Sequence, residues 1–375
     1  MYRLRVLCNY VSRLCDYGRE VKKMSDKVLM KGNEAIAEAA IRAGCRHYFG
    51  YPITPQTEVA AYMSKRMPKI GGTFLQAESE IAAINMVIGV SSTGKRVMTS
   101  SSSPGVSLKS EGISYLAGCD LPALVVNVQR GGPGLGGIQP SQSDYWQSTK
   151  GGGHGDYHNI VLAPASVQEM ASLTVKGFEL ADKYRMVAMI LADGTMGQMM
   201  EPVSLDIAEV TPVEKPWALT GTKCEREHNI VNSLYLKPEE LEIKNFERYQ
   251  KYKVIEENET MYEEYLMDDA EVCVVAFGIT ARVAKNAVNE ARKRGVKVGM
   301  IRPITLWPFP TKPIKAAAEK CKRFITVEMN MGQMIDDVRL AIECKRPVEL
   351  CNRVGGMIPT PEDVLSTIMS SGGVE

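Results

Sequence analysis

Apolar and polar positions change period repeatedly along this chain, and the changes write helix, strand, helix, strand. Residues 33–43 carry Ala35, Ile36, Ala39 and Ile41 at helical spacing and stop at Gly44, a C-cap residue type. Residues 47–53 form a short apolar run that reads as a strand. Residues 57–67 read as a helix with Thr57 as N-cap, and 73–76 as a short extended piece. A helix is expected at 80–90, with an apolar stripe at Ile81, Ile84, Val87 and Ile88, stopped by Gly94. A strand at 96–100, a turn at 101–105 and a helix at 106–117 lead to 122–128, the clearest buried strand of the chain. Residues 160–163, 166–181 and 186–193 add strand, helix and strand. Such alternation predicts a parallel, doubly wound sheet.

From 206 to 268 the pattern weakens into charged sequence, which predicts a linker with helical pieces on the surface. A second series then begins: strand 272–277, a turn at Gly278, helix 280–294 capped by Gly295, strand 297–302, helix 315–320, strand 323–328, helix 334–343 and strand 348–351. The chain has 375 residues, 45% of them hydrophobic, enough for two cores. The expected organisation is an N-terminal extension at 1–29, one α/β domain at 30–205, the linker at 206–268 and a second α/β domain at 269–375. The extension mixes Arg and Lys without an apolar core of signal-peptide length, so Met24 or Met30 is expected as the native start.

Composition narrows the function classes. A net charge of +1 argues against nucleic acid or an anionic membrane as partner. No apolar run approaches the roughly 18 residues that span a bilayer. The nine cysteines are scattered with no CxxC pair, which argues against a zinc ribbon or an iron–sulfur cluster held by this chain. Cys45, Cys119 and Cys273 read as buried thiols of a cytoplasmic protein.

Three motifs invite chemistry and fail on context. Gly89 to Lys95 matches the start of a P-loop, but Arg96 stands where magnesium needs a hydroxyl, and the helix precedes the glycines. A helix C-cap accounts for it. Gly132, Gly134 and Gly137 match GxGxxG, but Gln139-Pro-Ser follows where a dinucleotide site needs a helix. His154 and His158 lie in glycine-rich loop, so no metal site is expected there.

Three other features converge. Two prolines in Tyr51-Pro-Ile-Thr-Pro55 keep Thr54 out of a helix and hold it at a strand's carboxyl end, where open α/β sheets bind ligands. Arg130 ends the strongest strand, and its planar fork suits a carboxylate. Glu80 opens an otherwise apolar helix behind Gln76-Ala-Glu-Ser. Taken singly, Thr54 reads as well as part of a rigid turn, Glu80 as a helix-dipole partner and Arg130 as a surface ion pair. The glycine-rich segment 131–155 is longer than ordinary connections, and loops of that length are usually functional.

In these residues the chain resembles the subunit carrying the pyrimidine-binding domain of thiamine-diphosphate-dependent 2-oxoacid:ferredoxin oxidoreductases. The resemblance rests on Tyr51-Pro-Ile-Thr-Pro, Gln76-Ala-Glu-Ser-Glu-Ile-Ala-Ala83 followed by Gly89, Val128-Gln-Arg-Gly-Gly-Pro133, and Gln142-Ser-Asp144. It spans roughly residues 30 to 200, and the second domain is similar to the transketolase C-terminal-like domain. Gly131-Gly-Pro-Gly-Leu-Gly-Gly-Ile-Gln-Pro140 looks most like the branched-chain (3-methyl-2-oxobutanoate) and 2-oxoglutarate enzymes. The resemblance implies roles. Glu80 would hydrogen-bond N1′ of the cofactor's aminopyrimidine, which favours the tautomer that takes the C2 proton of the thiazolium. Thr54 would contact the substrate's oxygens, and Arg130 would pair with the 2-oxoacid carboxylate. Glu78 is a fallback for Glu80. Tyr51, Gly131, Gly132 and Asp144 would belong to the loops that close the site. Ile138, Tyr145 and Trp146 would favour a branched apolar side chain over 2-oxoglutarate.

The departures carry as much weight. The chain has no Gly-Asp-Gly…Asn motif for magnesium and the diphosphate, and no cysteine set for clusters. The resemblance therefore implies partners: a thiamine-diphosphate-binding subunit that holds magnesium and the diphosphate, a gamma-type subunit, and a ferredoxin-like subunit with the iron–sulfur clusters. Coenzyme A would be co-substrate and ferredoxin the electron acceptor, in a hetero-oligomer with two copies of this chain. Two rivals remain open here: a pyrimidine-domain subunit of a lipoamide-linked 2-oxoacid dehydrogenase or transketolase-like enzyme, and a non-catalytic assembly subunit.

Overall fold

The structure is a computed structural model that describes residues 27–206 and 213–370. Most of the expected N-terminal extension, Met24 included, lies outside the described residues. In chain order the first unit runs β1 (Val28–Lys31), α1 (Gly32–Arg42), β2 (His47–Gly50), α2 (Thr57–Arg66), β3 (Thr73–Gln76), α3 (Glu80–Ser92), β4 (Val97–Ser101), α4 (Ser103–Gly118), β5 (Ala123–Gln129), α5 (Tyr145–Thr149), β6 (Ile160–Leu162), α6 (Val167–Tyr184), β7 (Val187–Asp193), α7 (Gly194–Gln198) and β8 (Met200–Val203). Helix α8 (Pro238–Asn258) crosses to the second unit. That unit runs β9 (Tyr262–Tyr265), β10 (Val272–Ala276), α9 (Gly278–Lys293), β11 (Val298–Pro303), β12 (Thr305–Trp307), α10 (Thr311–Ala318), β13 (Arg323–Glu328), α11 (Met334–Ala341), β14 (Val348–Asn352) and α12 (Pro361–Met369).

Two mainly parallel, doubly wound sheets result. The first has seven strands in the order β12-β6-β7-β5-β4-β2-β3, and the second has five, β14-β13-β10-β11-β9. β5 and β7 are buried at every position, as continuous apolar runs in the middle of a parallel sheet must be. Each sheet takes one antiparallel edge strand: β12 against β6, and β9 against β11.

Several expectations need correction. The apolar run 47–53 leaves the sheet at Gly50, because Pro52 has no N–H to continue a ladder. Thr57 is the first residue of α2, not its cap, and Gln56 precedes it. The expected turn at 101–105 is already helix from Ser103, with Pro104 in the first turn, where its missing N–H costs nothing. On α3 the buried face is Ala83, Ile84, Val87 and Ser91, and Ile81 stands 50% exposed. The stretch read as linker supplies β9 to the second sheet, and the second unit returns β12 to the first. The β1–β8 pair and α12 are further elements that the periodicity did not suggest.

The two units are stitched at the glycine-rich segment. Gln142, fully buried, donates from Nε2 to the Phe277 carbonyl at 2.9 Å and accepts the Met329 N–H at 3.1 Å. The Tyr145 hydroxyl donates to Asp337 Oδ2 at 2.6 Å. His158 stacks on Trp307 with ring centroids 4.8 Å apart and meets Tyr252 of α8 edge-on. Segment 131–155 is therefore braced from both sides. Among the described residues no helix is long and apolar enough to cross a membrane.

Candidate active site

Chain direction across the first sheet reverses between β2 and β4: β3 lies on one side of this pair and β5 on the other. At such a switch point the loops leaving neighbouring strands part and open a crevice. The segments leaving this edge carry Tyr51 to Gln56 after β2, Glu80 after β3, Ser102 and Ser103 after β4, and Arg130 to Asp144 after β5.

Ser79 caps α3, its hydroxyl accepting the Ala82 N–H at 3.2 Å. This fixes Glu80 at the first helical position, where the helix dipole favours a carboxylate. Glu80 is only 6% exposed. Its carboxylate lies against Gly105 in the first turn of α4, where an added Cβ would come within 2.7 Å of Oε1 and 2.1 Å of Ser101 Oγ. Gly105 is thus required for the approach of α4 to Glu80. Among the described residues no hydrogen bond is made to the Glu80 carboxylate, and Ser101 Oγ, which faces Gly105 together with Glu80 Oε1, is buried without a partner. A buried carboxylate with no donor is costly unless something else supplies one. Glu78, two residues earlier, is exposed. The difference in burial favours Glu80 over it for a proton that must not be shared with water.

Arg130 is 8% exposed. One terminal nitrogen donates to the Thr54 carbonyl at 3.0 Å and the other to the Leu135 carbonyl at 3.3 Å, while Nε is buried without an acceptor. No carboxylate of the described residues forms an ion pair with it. The structure thus brings Thr54 and Arg130 into contact and leaves a buried cation without a counter-ion. Thr54 is exposed, its backbone held by the fully buried Gln56, whose amide donates to the Tyr51 carbonyl at 3.2 Å and accepts the Ser100 hydroxyl at 2.5 Å. Tyr51 itself stands 36% exposed at the rim.

Asp144 is a brace rather than a free acid. Its Oδ2 accepts Ser103 Oγ at 2.6 Å and Asn127 Nδ2 at 2.9 Å, tying the returning loop to α4 and β5. Burial raises its carboxyl above the usual range against those two bonds. Ser103 also accepts the Arg130 N–H at 3.0 Å. Gly131 accepts the Gly137 N–H at 2.9 Å, which folds the glycine loop back on itself, and Gly132 lies open to solvent. A cleft of about 270 Å³ is lined by Ser103, Pro104, Ser107, Arg130, Gly131 to Gly134 and Asp144. A larger cavity of about 630 Å³, walled by Trp307, His158 and Asp337, lies away from these strand ends. Its Asp337 is already engaged by Tyr145 and Lys150. The open cleft at the switch point is the better candidate. It is lined by Arg130, whose buried Nε lacks an acceptor.

Tyr145 is fully buried at the junction, so it cannot line the cleft as its place in the sequence suggested. Among the described residues no group of three or more His, Cys, Asp or Glu side chains is placed to hold a metal ion. Sequence reasoning passed over Gly105, Ser103 and Lys109. Lys109 had a visible signal: it occupies the buried helical spacing Val106, Lys109, Ile113. Gly105→Ala is expected to lower turnover of the assembled enzyme on the order of 100-fold by displacing Glu80. Overpacking should also cost about 1–3 kcal/mol of stability. Steady-state rates and thermal unfolding check both.

Comparison with known proteins places these observations. The family model described as pyruvate flavodoxin/ferredoxin oxidoreductase, thiamine diP-binding, matches residues 38–269, and pyruvate:ferredoxin oxidoreductase core domain II matches 270–364. The chain is 53% identical over 347 residues to the ketoisovalerate oxidoreductase subunit VorB of Methanothermobacter thermautotrophicus, across 92% of this chain and 98% of that one. It is 35% identical over 391 residues to the 2-oxoglutarate synthase subunit KorA of the same organism, across 92% and 99%. A solved 2-oxoglutarate:ferredoxin oxidoreductase from Magnetococcus marinus, with 2-oxoglutarate, coenzyme A and succinyl-CoA bound, is 30% identical with a TM-score of 0.82. That likeness covers 92% of this chain and 65% of the longer one.

Proposed function

Because the chain belongs to the 2-oxoacid:ferredoxin oxidoreductases, as a subunit with their thiamine-diphosphate-binding domain and core domain II, we propose that it supplies the pyrimidine-facing half of a shared active site. The complex oxidatively decarboxylates a 2-oxoacid, 3-methyl-2-oxobutanoate in preference to 2-oxoglutarate, to the acyl-CoA and passes electrons to ferredoxin. One observation carries the reading: Glu80, 6% exposed, and Arg130, 8% exposed, leave the same edge of the sheet, and among the described residues the first has no hydrogen-bond donor and the second no counter-ion.

Glu80 fits an aminopyrimidine, because a ring nitrogen bearing a proton is the donor that the carboxylate lacks. Thiamine diphosphate, when bound, supplies the carbon nucleophile and the electron sink for decarboxylation. Glu80 would hold a proton at N1′ from a side chain that is only 6% exposed. Arg130 binds the 2-oxoacid carboxylate through Nε and a terminal nitrogen, and its bond to the Thr54 carbonyl sets the fork's orientation. Thr54 presents its hydroxyl to the substrate's oxygens. The cleft lining contains Asp144 and no cation besides Arg130. A second substrate carboxylate would find no partner in that lining, which supports a branched apolar acid, as does the higher identity to the ketoisovalerate relative.

The remaining parts of the site fall to partner subunits: magnesium, the diphosphate grip and the iron–sulfur clusters on thiamine-diphosphate-binding, gamma-type and ferredoxin-like chains, in the cytoplasm. Leu75 on β3, Ile81 on α3, Leu108 on α4, and Leu135 and Ile138 in the glycine-rich segment are exposed apolar side chains that such a partner would cover. The test is viologen reduction by the co-expressed complex with 3-methyl-2-oxobutanoate, 2-oxoglutarate and pyruvate, with and without coenzyme A. The expected result is the highest kcat/KM for 3-methyl-2-oxobutanoate, dependent on coenzyme A. A higher value for 2-oxoglutarate overturns the substrate order. Reduction of lipoamide or NAD in place of viologen overturns the class.

A further inference from the structure

Helix α8 places a charged residue in its buried stripe. Its buried residues are Arg248, Tyr252 and Ile255, which share one face at helical spacing. Tyr252 and Ile255 join the apolar core, whereas Arg248, 9% exposed, lines a cavity of about 320 Å³. Residues of α4, the glycine-rich segment and α8 with the chain before it wall this cavity, which shares no lining residue with the cleft at Arg130. Arg248 has no counter-ion among the described residues. One terminal nitrogen donates to Asn245 Oδ1 at 2.7 Å, Nε is buried without an acceptor, and the other terminal nitrogen bonds no described residue. Asp120, just after α4, is taken by Lys251 at 2.7 Å. Asn245 spends its carbonyl on Arg248, and its amide nitrogen, in the same lining, donates to no described residue. A buried guanidinium without a counter-charge is costly, and its planar fork matches a carboxylate.

We propose that this cavity is a second ligand site, for a small monocarboxylic acid with an apolar body. The carboxylate accepts from the free terminal nitrogen of Arg248 and from the Asn245 amide. Leu241 and the rings of Tyr115, Tyr157 and Tyr235 wall the remainder. Asp156, exposed in the lining and in no ion pair among the described residues, repels a second negative charge, as does Glu111, held by the Tyr115 hydroxyl at 2.7 Å. Diacids and phosphate are therefore disfavoured. The volume suits a ligand of a few heavy atoms, at the small end of the usual range. The site stands apart from the roles given to Glu80 and Arg130.

The probe is 3-methylbutanoate, titrated into the full chain and into the assembled complex, with saturation-transfer NMR reading binding and thermal unfolding reading stabilisation. All forms carry Arg130→Met, so that the active cleft takes no acid. This parent should bind the acid saturably, and its unfolding midpoint should rise with acid concentration. The neutral 3-methylbutanamide should not bind, and butanedioate and inorganic phosphate should bind at least about 10-fold more weakly. Adding Arg248→Met should weaken 3-methylbutanoate on the order of 10-fold or more. Without acid that variant should unfold at the same temperature as the parent or higher, because it removes an uncompensated buried charge; an arginine kept for structure would lower it. Leu241→Glu, at an exposed position, should give the same loss of binding by adding a carboxylate to the lining. No binding by the parent, equal binding of acid and amide, or binding that survives Arg248→Met and Leu241→Glu overturns the proposal. Binding to the chain but not to the complex also overturns it, because a partner subunit then fills the cavity.

Discussion

Glu80→Gln in the assembled complex is expected to lower turnover on the order of 100-fold or more, a loss of about 3 kcal/mol of transition-state stabilisation. On the proposed role, the amide keeps the shape of the side chain but cannot hold a proton shared with the ring nitrogen. Stability should move the other way or not at all. No described residue donates a hydrogen bond to the carboxylate, so the substitution breaks none. Loss of function with retained or improved thermal stability is the mark of a group kept for chemistry. Glu78→Ala is the control, because its side chain is exposed, and should change turnover by less than about 2-fold. Equal losses in the two variants would contradict the assignment of Glu80.

Arg130→Lys should reduce kcat/KM for the 2-oxoacid on the order of 100-fold while leaving KM for coenzyme A unchanged. A lysine offers a point charge where the fork must meet a carboxylate and also hold the carbonyls of Thr54 and Leu135. The substrate then binds more weakly and less well aimed, so kcat and KM both worsen. Arg130→Met should be worse, since among the described residues it removes the one cation of the cleft lining. A change confined to KM for coenzyme A would contradict the role.

The alternation of strands and helices was legible because parallel strands buried on both faces must be continuous apolar runs, as β5 and β7 are. Glu80 and Arg130 were legible as charged residues placed at the start of an apolar helix and the end of an apolar strand. The family resemblance drawn from those residues agrees with the family matches. What periodicity could not show was long-range. β1 pairs with β8 across the whole first domain, and β12 crosses to the other unit's sheet; four- and three-residue strands carry too little pattern to announce a distant partner. Helix α12 could have been found: Thr360 and Asp363 form a capping box with Pro361 in the first turn. Lys109 was read past because a lone lysine in a helical stripe usually snorkels to solvent, and here β4 offers acceptors inside.

The shared site is the central claim, and turnover by this chain with and without its partners tests it most directly. The folded chain alone, given thiamine diphosphate, magnesium, coenzyme A and 3-methyl-2-oxobutanoate, should reduce no viologen. Adding the partner subunits should restore reduction, and adding them to the Glu80→Gln chain should not. Turnover by the chain alone, or equal turnover by wild type and Glu80→Gln in the complex, would contradict the account.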